Sequence, residues 1–309
     1  MTASSTSAVA PERSLRARSL DWRGTVFHLV LLASLLVTLA ILATLVVDVV
    51  LRGWPVFNER GADFITSPLS TRPANAGILQ GITGTALIAA FVALLAFPLG
   101  VMTAVYLEEY AGDNRLSRAI SINIRNLAGV PSVVYGLLGL AVFVPLVQGL
   151  AGGTGRSIIT ASITLGVLVL PIVIITAAEA IRAVPQALRE AGYGVGASRW
   201  EVTSRLVLPA AGPGILTGTV LALSRALGET APLVVIGASA TFFSTGNQSF
   251  IESLFGSFTA LPVIVFGWST RPQDEFRALT AAAIIALLVV TLAANALAIL
   301  LRTRYERTW

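Results

Sequence analysis

Arg225 and Glu229 stand out as the residues best placed to do chemistry, because they are the only charges in a long apolar run from Pro213 to Ala238. Four residues apart, they share one face of a helix. If that helix starts near Pro213, Arg225 lies roughly 18 Å along it at 1.5 Å per residue, close to the middle of a bilayer. Ionisable groups at that depth cost at least about 2.5 kcal/mol and normally face a bundle interior or an aqueous path. A guanidinium is permanently charged and offers paired N–H donors that match a tetrahedral oxyanion. Phosphate or sulfate suits it as cargo; a sugar or a metal cation does not. Glu229 either neutralises Arg225 when no anion is present or accepts a hydrogen bond from HPO₄²⁻. With Thr230 beside it, the candidate substrate path is Arg225, Glu229 and Thr230. The same pair also suits an interhelical ion pair that only fixes packing.

Composition removes most other chemistries. The 21 basic residues are all arginine, so the net charge of +5 is permanent and no lysine exists for a Walker A phosphate-binding loop. Cysteine is absent and His28 is the only histidine, which excludes disulfides, thiol nucleophiles, zinc sites and Ser-His-Asp triads together. His28 sits at the start of an apolar run and suits an interfacial structural role. No catalytic residue and no cofactor bound by this chain is expected. The arginines fall in short loops between apolar runs, a pattern that orients a membrane protein and does not suggest nucleic-acid binding.

These residues must be carried by membrane-spanning helices. Hydrophobic residues make up 55% of the chain against 12% charged, and mean hydropathy is +0.81, far from a soluble domain. Runs of about 20 apolar residues are needed to cross the hydrocarbon core. Six are readable, at Val26–Leu51, Ile82–Leu107, Val130–Leu150, Ile158–Ile181, Pro213–Ala238 and Leu279–Leu301. The first is too long for a signal peptide's core and reads as a retained helix. An inside start places most arginines, among them Arg13, Arg16, Arg18, Arg115, Arg118 and Arg125, on the cytoplasmic side, as the positive-inside rule requires. The expected organisation is a cytoplasmic tail (1–25), a first transmembrane helix (26–51) and a Pro/Gly-rich extracytoplasmic loop (52–80). A five-helix core (81–302) and a cytoplasmic tail (303–309) follow. Residues 115–127 carry Leu116, Ile120, Ile124 and Leu127 on one face with arginines elsewhere, and predict a short helix along the membrane surface. Trp54, Trp268 and Trp309 suit anchoring at the membrane boundary.

Between the fourth and fifth spans, residues 183–210 read as two short helices with a break. Pro185 suits a first helical turn, Gly196 supplies the break, Ser198-Arg-Trp-Glu201 is a capping box, and Pro209 marks a stop. Such a knob can seat in a groove on a partner, or be no more than a structured loop. Its spacing resembles the cytoplasmic signature of permease subunits of binding-protein-dependent ABC importers: Glu190-Ala191, then Gly196, then Leu206-Val-Leu208-Pro209, with every interval preserved. Gly192 stands where the family has a second alanine and Leu206 where it has isoleucine. Glycine inside a helix costs about 1 kcal/mol against alanine, so Gly192 is expected to loosen the first coupling helix.

Further phrases resemble the PstA-type, phosphate-importing branch of that family: Val105-Tyr-Leu-Glu-Glu-Tyr-Ala111, Gly129-Val-Pro-Ser-Val-Val-Tyr-Gly136, Ser224-Arg-Ala-Leu-Gly-Glu-Thr-Ala-Pro-Leu233 and Ala260-Leu-Pro-Val-Ile-Val-Phe-Gly-Trp268. Together they span most of residues 80–300. The resemblance implies an all-α integral membrane protein with the six-helix type I ABC importer permease fold. It implies an ATPase-coupling loop built on Glu190, Ala191, Gly192, Gly196, Leu208 and Pro209. It also implies a PstC-type permease as heterodimer partner, a PstB-type ATPase dimer that holds ATP and Mg, and a PstS-type phosphate-binding protein. Some relatives carry a second arginine late in the fourth span, where this chain has Ile175 to Ala178. Permeases for sulfate, molybdate or tungstate fit the arginine as well, and an ion-gradient transporter or channel is the alternative from a different class.

Overall fold

The computed structural model describes residues 22–112, 114–239 and 250–305. Arg13, Arg16, Arg18, Asp113 and Trp309 lie outside the described residues, as does most of the N-terminal tail. Every described element is helical, and six helices are long and apolar enough to cross a membrane: α1 (Trp22–Arg60), α2 (Leu79–Tyr110), α4 (Ser132–Ala151), α5 (Ile158–Arg182), α7 (Arg199–Gly228) and the first 26 residues of α10 (Glu275–Tyr305). Between them lie α3 (Arg115–Ala128), α6 (Gln186–Gly194), α8 (Ala231–Ile236) and α9 (Leu261–Ser269).

Residues up to Asp48 form one compact unit and Val49 onward a second. In the first, every described residue of α1 is exposed although the helix is apolar all round. A helix with that surface needs hydrocarbon about it, as a membrane span has.

In the second unit α5 is central, with α2 and α7 packed along it. The close approach follows from small residues. A Cβ on Gly100 would come within 2.6 Å of Val173 Cγ1, one on Gly166 within 2.7 Å of Leu95 Cδ2, and one on Gly214 within 2.7 Å of Ala180 Cβ. Without a hydrophobic drive between helices in lipid, such intimate van der Waals packing is what holds spans together.

Four readings of the sequence are corrected. The stretch 52–80 is not simply an exposed loop: α1 continues to Arg60, and Phe64, Leu69, Ala76 and Ile78 are buried with Trp268 and Phe276. Phe64, Trp268 and Phe276 stack as tilted neighbours with centroids 6.4 and 5.7 Å apart. Trp268 is therefore a core residue, not a boundary anchor. Pro209 does not stop a helix. A π-turn over Thr203–Val207 precedes it, and α7 passes through it to Gly228; the wider turn accommodates the N–H that proline lacks.

The fourth correction concerns the fifth span, which is broken. α7 ends at Gly228, Glu229 is extended (φ −77°, ψ 119°), and α8 begins at Ala231. Pro232 explains the break, since in a continuous helix its ring would collide with the Gly228 carbonyl and leave it without a donor.

Candidate functional site

The break puts Arg225 in the last turn of α7 and Glu229 at its C-cap. The two still meet: Arg225 Nε donates to Glu229 Oε1 at 3.3 Å. A cation in a last helical turn is favoured by the helix dipole, so the order Arg then Glu, weak inside a helix, suits a helix end. Arg225 is 44% exposed and Glu229 18%. The guanidinium therefore looks out from this chain and is not locked in its core. Thr230 begins α8 without a side-chain cap bond and follows the pair directly in sequence. Behind the arginine, Ser224 Oγ donates to Asn295 Oδ1 at 2.6 Å, tying α7 to α10.

Packing against α5 fixes the depth of the pair. Gly214 faces Ala180 and Gly218 faces Thr176, so each step forward on α7 is a step back on α5. Continued to Arg225, the register reaches about Val169, the middle of the 25-residue α5. The break thus lies mid-span, and broken helices at mid-membrane depth are a recurrent way to build ion and substrate sites.

The second cluster lies at the other end of α7. α6 holds Glu190 and Ala191 exposed, and Gly196 turns the chain at φ +85°, a left-handed conformation natural to glycine. The capping box forms: Ser198 N–H donates to Glu201 Oε2 at 2.9 Å, and Glu201 N–H reaches Ser198 Oγ at 3.4 Å. Leu208 is half-buried and Pro209 exposed in the first part of α7. Tyr193, Val195 and Trp200 leave a large apolar surface at the tip, Val195 being 85% exposed.

Two arginine clamps grip the end of α2, one from the knob and one from the end of α5, and the sequence reading did not find them. Arg189 of α6 donates through Nε and Nη2 to Glu109 Oε1 at 3.1 and 2.8 Å. The same guanidinium bonds the carbonyls of Val184 and Ile181 at 2.8 and 2.9 Å. Glu109 is 5% exposed and Arg189 14%, so this pair is buried. Arg182 grips Glu108 with two bonds at 3.1 and 2.6 Å, and Arg199 stacks on the Tyr110 ring, 5.2 Å from its centroid. The available signal was two adjacent carboxylates ending a span on the arginine-rich side.

Gly192 does not loosen α6. It is buried, and a Cβ there would lie 2.8 Å from both Val202 Cγ2 and Leu206 Cδ1. The two departures from the family signature thus touch one another, the missing methyl making room for the leucine. Overpacking costs about 1–3 kcal/mol against about 1 kcal/mol gained in helix propensity. Leu206 can swing aside but the β-branched Val202 cannot. Gly192→Ala should therefore lower the thermal midpoint of the purified complex by a few degrees, and the loss should shrink in a Val202→Ala background; equal losses in both would refute the contact.

α3, expected along the membrane surface, is docked on α5. Its Ser121, Ile124 and Arg125 close a space of about 30 Å³ with Ile174, Ala178 and Arg182.

Residues 96–307 match the family described as binding-protein-dependent transport system inner membrane component. Among curated relatives, the phosphate transport system permease protein PstA 1 of Mycobacterium tuberculosis is 33% identical over 272 residues, covering 87% of this chain and 85% of that one. The phosphate transport system permease protein PstC of Mesorhizobium japonicum is 32% identical over 260 residues, covering 77% and 79%. Among solved structures, a bacterial alginate ABC transporter in complex with an alginate-bound periplasmic protein aligns with TM-score 0.64 at 16% identity, over 94% of this chain and 99% of its own. The fold is that of the type I ABC importer permeases.

Proposed function

Because the chain belongs to the family of binding-protein-dependent transport system inner membrane components, we propose that it is the transmembrane permease subunit of an ATP-driven phosphate importer. In this reading it forms half of the translocation path and couples to a separate ATPase. The observation that carries the reading is the outward-looking Arg225–Glu229 pair at mid-depth, on a broken helix. An anion-binding cation that faces away from its own chain needs a second permease to close the path around it. A PstC-type subunit is the natural partner, since relatives of both kinds match this chain.

Both termini lie on the cytoplasmic side, where α6 and the capped start of α7 present Tyr193, Val195 and Trp200 to a PstB-type ATPase dimer. That dimer binds ATP and Mg; this chain, without a lysine, has no Walker site of its own. A PstS-type protein delivers phosphate to the opposite face.

In the permease at rest Glu229 neutralises Arg225. When HPO₄²⁻ displaces the carboxylate, the proton still on phosphate donates a hydrogen bond to Glu229, which sulfate has no proton to make at neutral pH. A hydrogen bond to a charged group is worth about 1.5–3 kcal/mol, so Glu229→Gln should let sulfate compete for phosphate uptake at roughly tenfold lower concentration or better. Competition measured in vesicles checks this, and unchanged discrimination would rule out a proton-reading role and reopen the sulfate, molybdate or tungstate assignment.

A further inference from the structure

A second exposed arginine, Arg156, lies at the far end of α8. There Gly237 takes φ +105°, and the Arg156 side chain lies across it: a Cβ on Gly237 would be 3.0 Å from Arg156 Cδ and 3.1 Å from Nη1. Glycine thus provides both the left-handed turn and the room for the guanidinium. Arg156 is not required as a helix cap, because Gly237 and Ala238 N–H groups already bond the Leu233 and Val234 carbonyls at the end of α8. Among the described residues its guanidinium has no hydrogen-bond or ion-pair partner.

Its base is fixed. Gly155 accepts a 2.6 Å bond from Thr160 Oγ1, and Ser157 caps the start of α5.

An exposed arginine is ordinarily just solvated, but this one closes a row. Arg225, Gly228, Ala231, Val234 and Gly237 are all exposed, one in every three residues, and three of them carry little or no side chain. The row starts in the last turn of α7, crosses the break and continues along α8, which alone is on the order of 10 Å long at 1.5 Å per residue, with an arginine at each end.

We propose that Arg156 is an outer anion station, from which phosphate passes along this row to Arg225. The proposal rests on the permease reading above. Its physical basis is that one deep site tends to trap an ion, whereas sites in series allow it to enter and to leave. With Arg156 in place a dianion leaving the binding protein meets a cation before it meets the apolar interior, where an unpaired charge is costly. Between the two stations the small side chains leave the surface open.

The test uses the whole importer in proteoliposomes with binding protein loaded with radiolabelled phosphate, and reads two quantities. These are phosphate transported per ATP hydrolysed, and the concentration of loaded binding protein that half-saturates ATPase stimulation. Arg156→Gln should lower phosphate per ATP about tenfold or more, the loss of one charge-assisted anion contact, with half-saturation unchanged. Arg156→Lys should restore most of it, and Arg156→Met, which keeps the stem over Gly237, should behave as Gln does. An unchanged phosphate-to-ATP ratio in the Gln and Met variants would overturn the proposal. So would a raised half-saturating concentration, because Arg156 would then be a docking contact for the binding protein. The unsubstituted complex separates the two readings. If it accumulates no phosphate, the permease assignment itself fails; if it does and Arg156→Gln matches it, only the outer station fails.

Discussion

Arg225→Gln should reduce ATP-dependent phosphate uptake at least about a hundredfold while the complex assembles and keeps its ATPase. The size follows from losing a charged, forked donor at mid-depth: two charge-assisted hydrogen bonds at about 1.5–3 kcal/mol each exceed the roughly 2.8 kcal/mol that a hundredfold requires. Assembly is spared because the side chain is 44% exposed and its ion pair is with Glu229 of its own chain, at 3.3 Å. Glutamine still donates to that carboxylate, so the variant does not strand a bare charge. Arg225→Lys should fall between, since an ammonium keeps the charge but not the planar fork. Normal uptake by Arg225→Gln would remove this residue from the path, leaving an ion pair that only fixes packing.

Arg189→Met should also lower phosphate uptake, but because the ATPase no longer stays with the membrane subunits. Removing one partner of a buried ion pair costs about 3–5 kcal/mol, as the other charge is left uncompensated. Here that charge is Glu109, 5% exposed, and two carbonyls at the end of α5 lose their donor as well. The pair joins α6 to α2, so α6 loses the buried contact that fixes its position. Glu109→Gln added to Arg189→Met should recover part of the ATPase, which a double-mutant comparison of co-purification would measure. Full ATPase retention by the single variant would show that the clamp is not part of coupling. The contrast between the two variants matters more than either alone: one complex hydrolyses ATP without moving phosphate, and the other falls apart at the α6 end.

The spans could be read directly from the sequence because hydrocarbon thickness sets a length that a linear scan detects. The helix–break–helix knob between α5 and α7 was readable too, since Ser198 and Glu201 signal a cap through purely local bonds. The break at Glu229 was less visible. An apolar window carries straight across Pro232, and only the clash between its ring and the Gly228 carbonyl marks the interruption. Arg189 and Glu109 are 80 residues apart, and nothing local in either segment announces their meeting. Gly192 misled for the same reason: propensity prices a glycine in its own helix, whereas this one is set by Val202 and Leu206 across the turn. The segment after Leu51 looked like a loop by its prolines and glycines, but Phe64 and Ile78 are each fully buried beside Trp268. Burial by distant partners is what a single sequence does not print.

One measurement bears on the central claim most directly: accumulation of radiolabelled phosphate by proteoliposomes that contain this chain, its partner permease, the ATPase and the phosphate-binding protein. The account predicts accumulation that requires ATP and the binding protein, is competed by arsenate and not by sulfate, and is abolished by Arg225→Gln. Accumulation that persists without ATP, or sulfate taken up in place of phosphate, would contradict it.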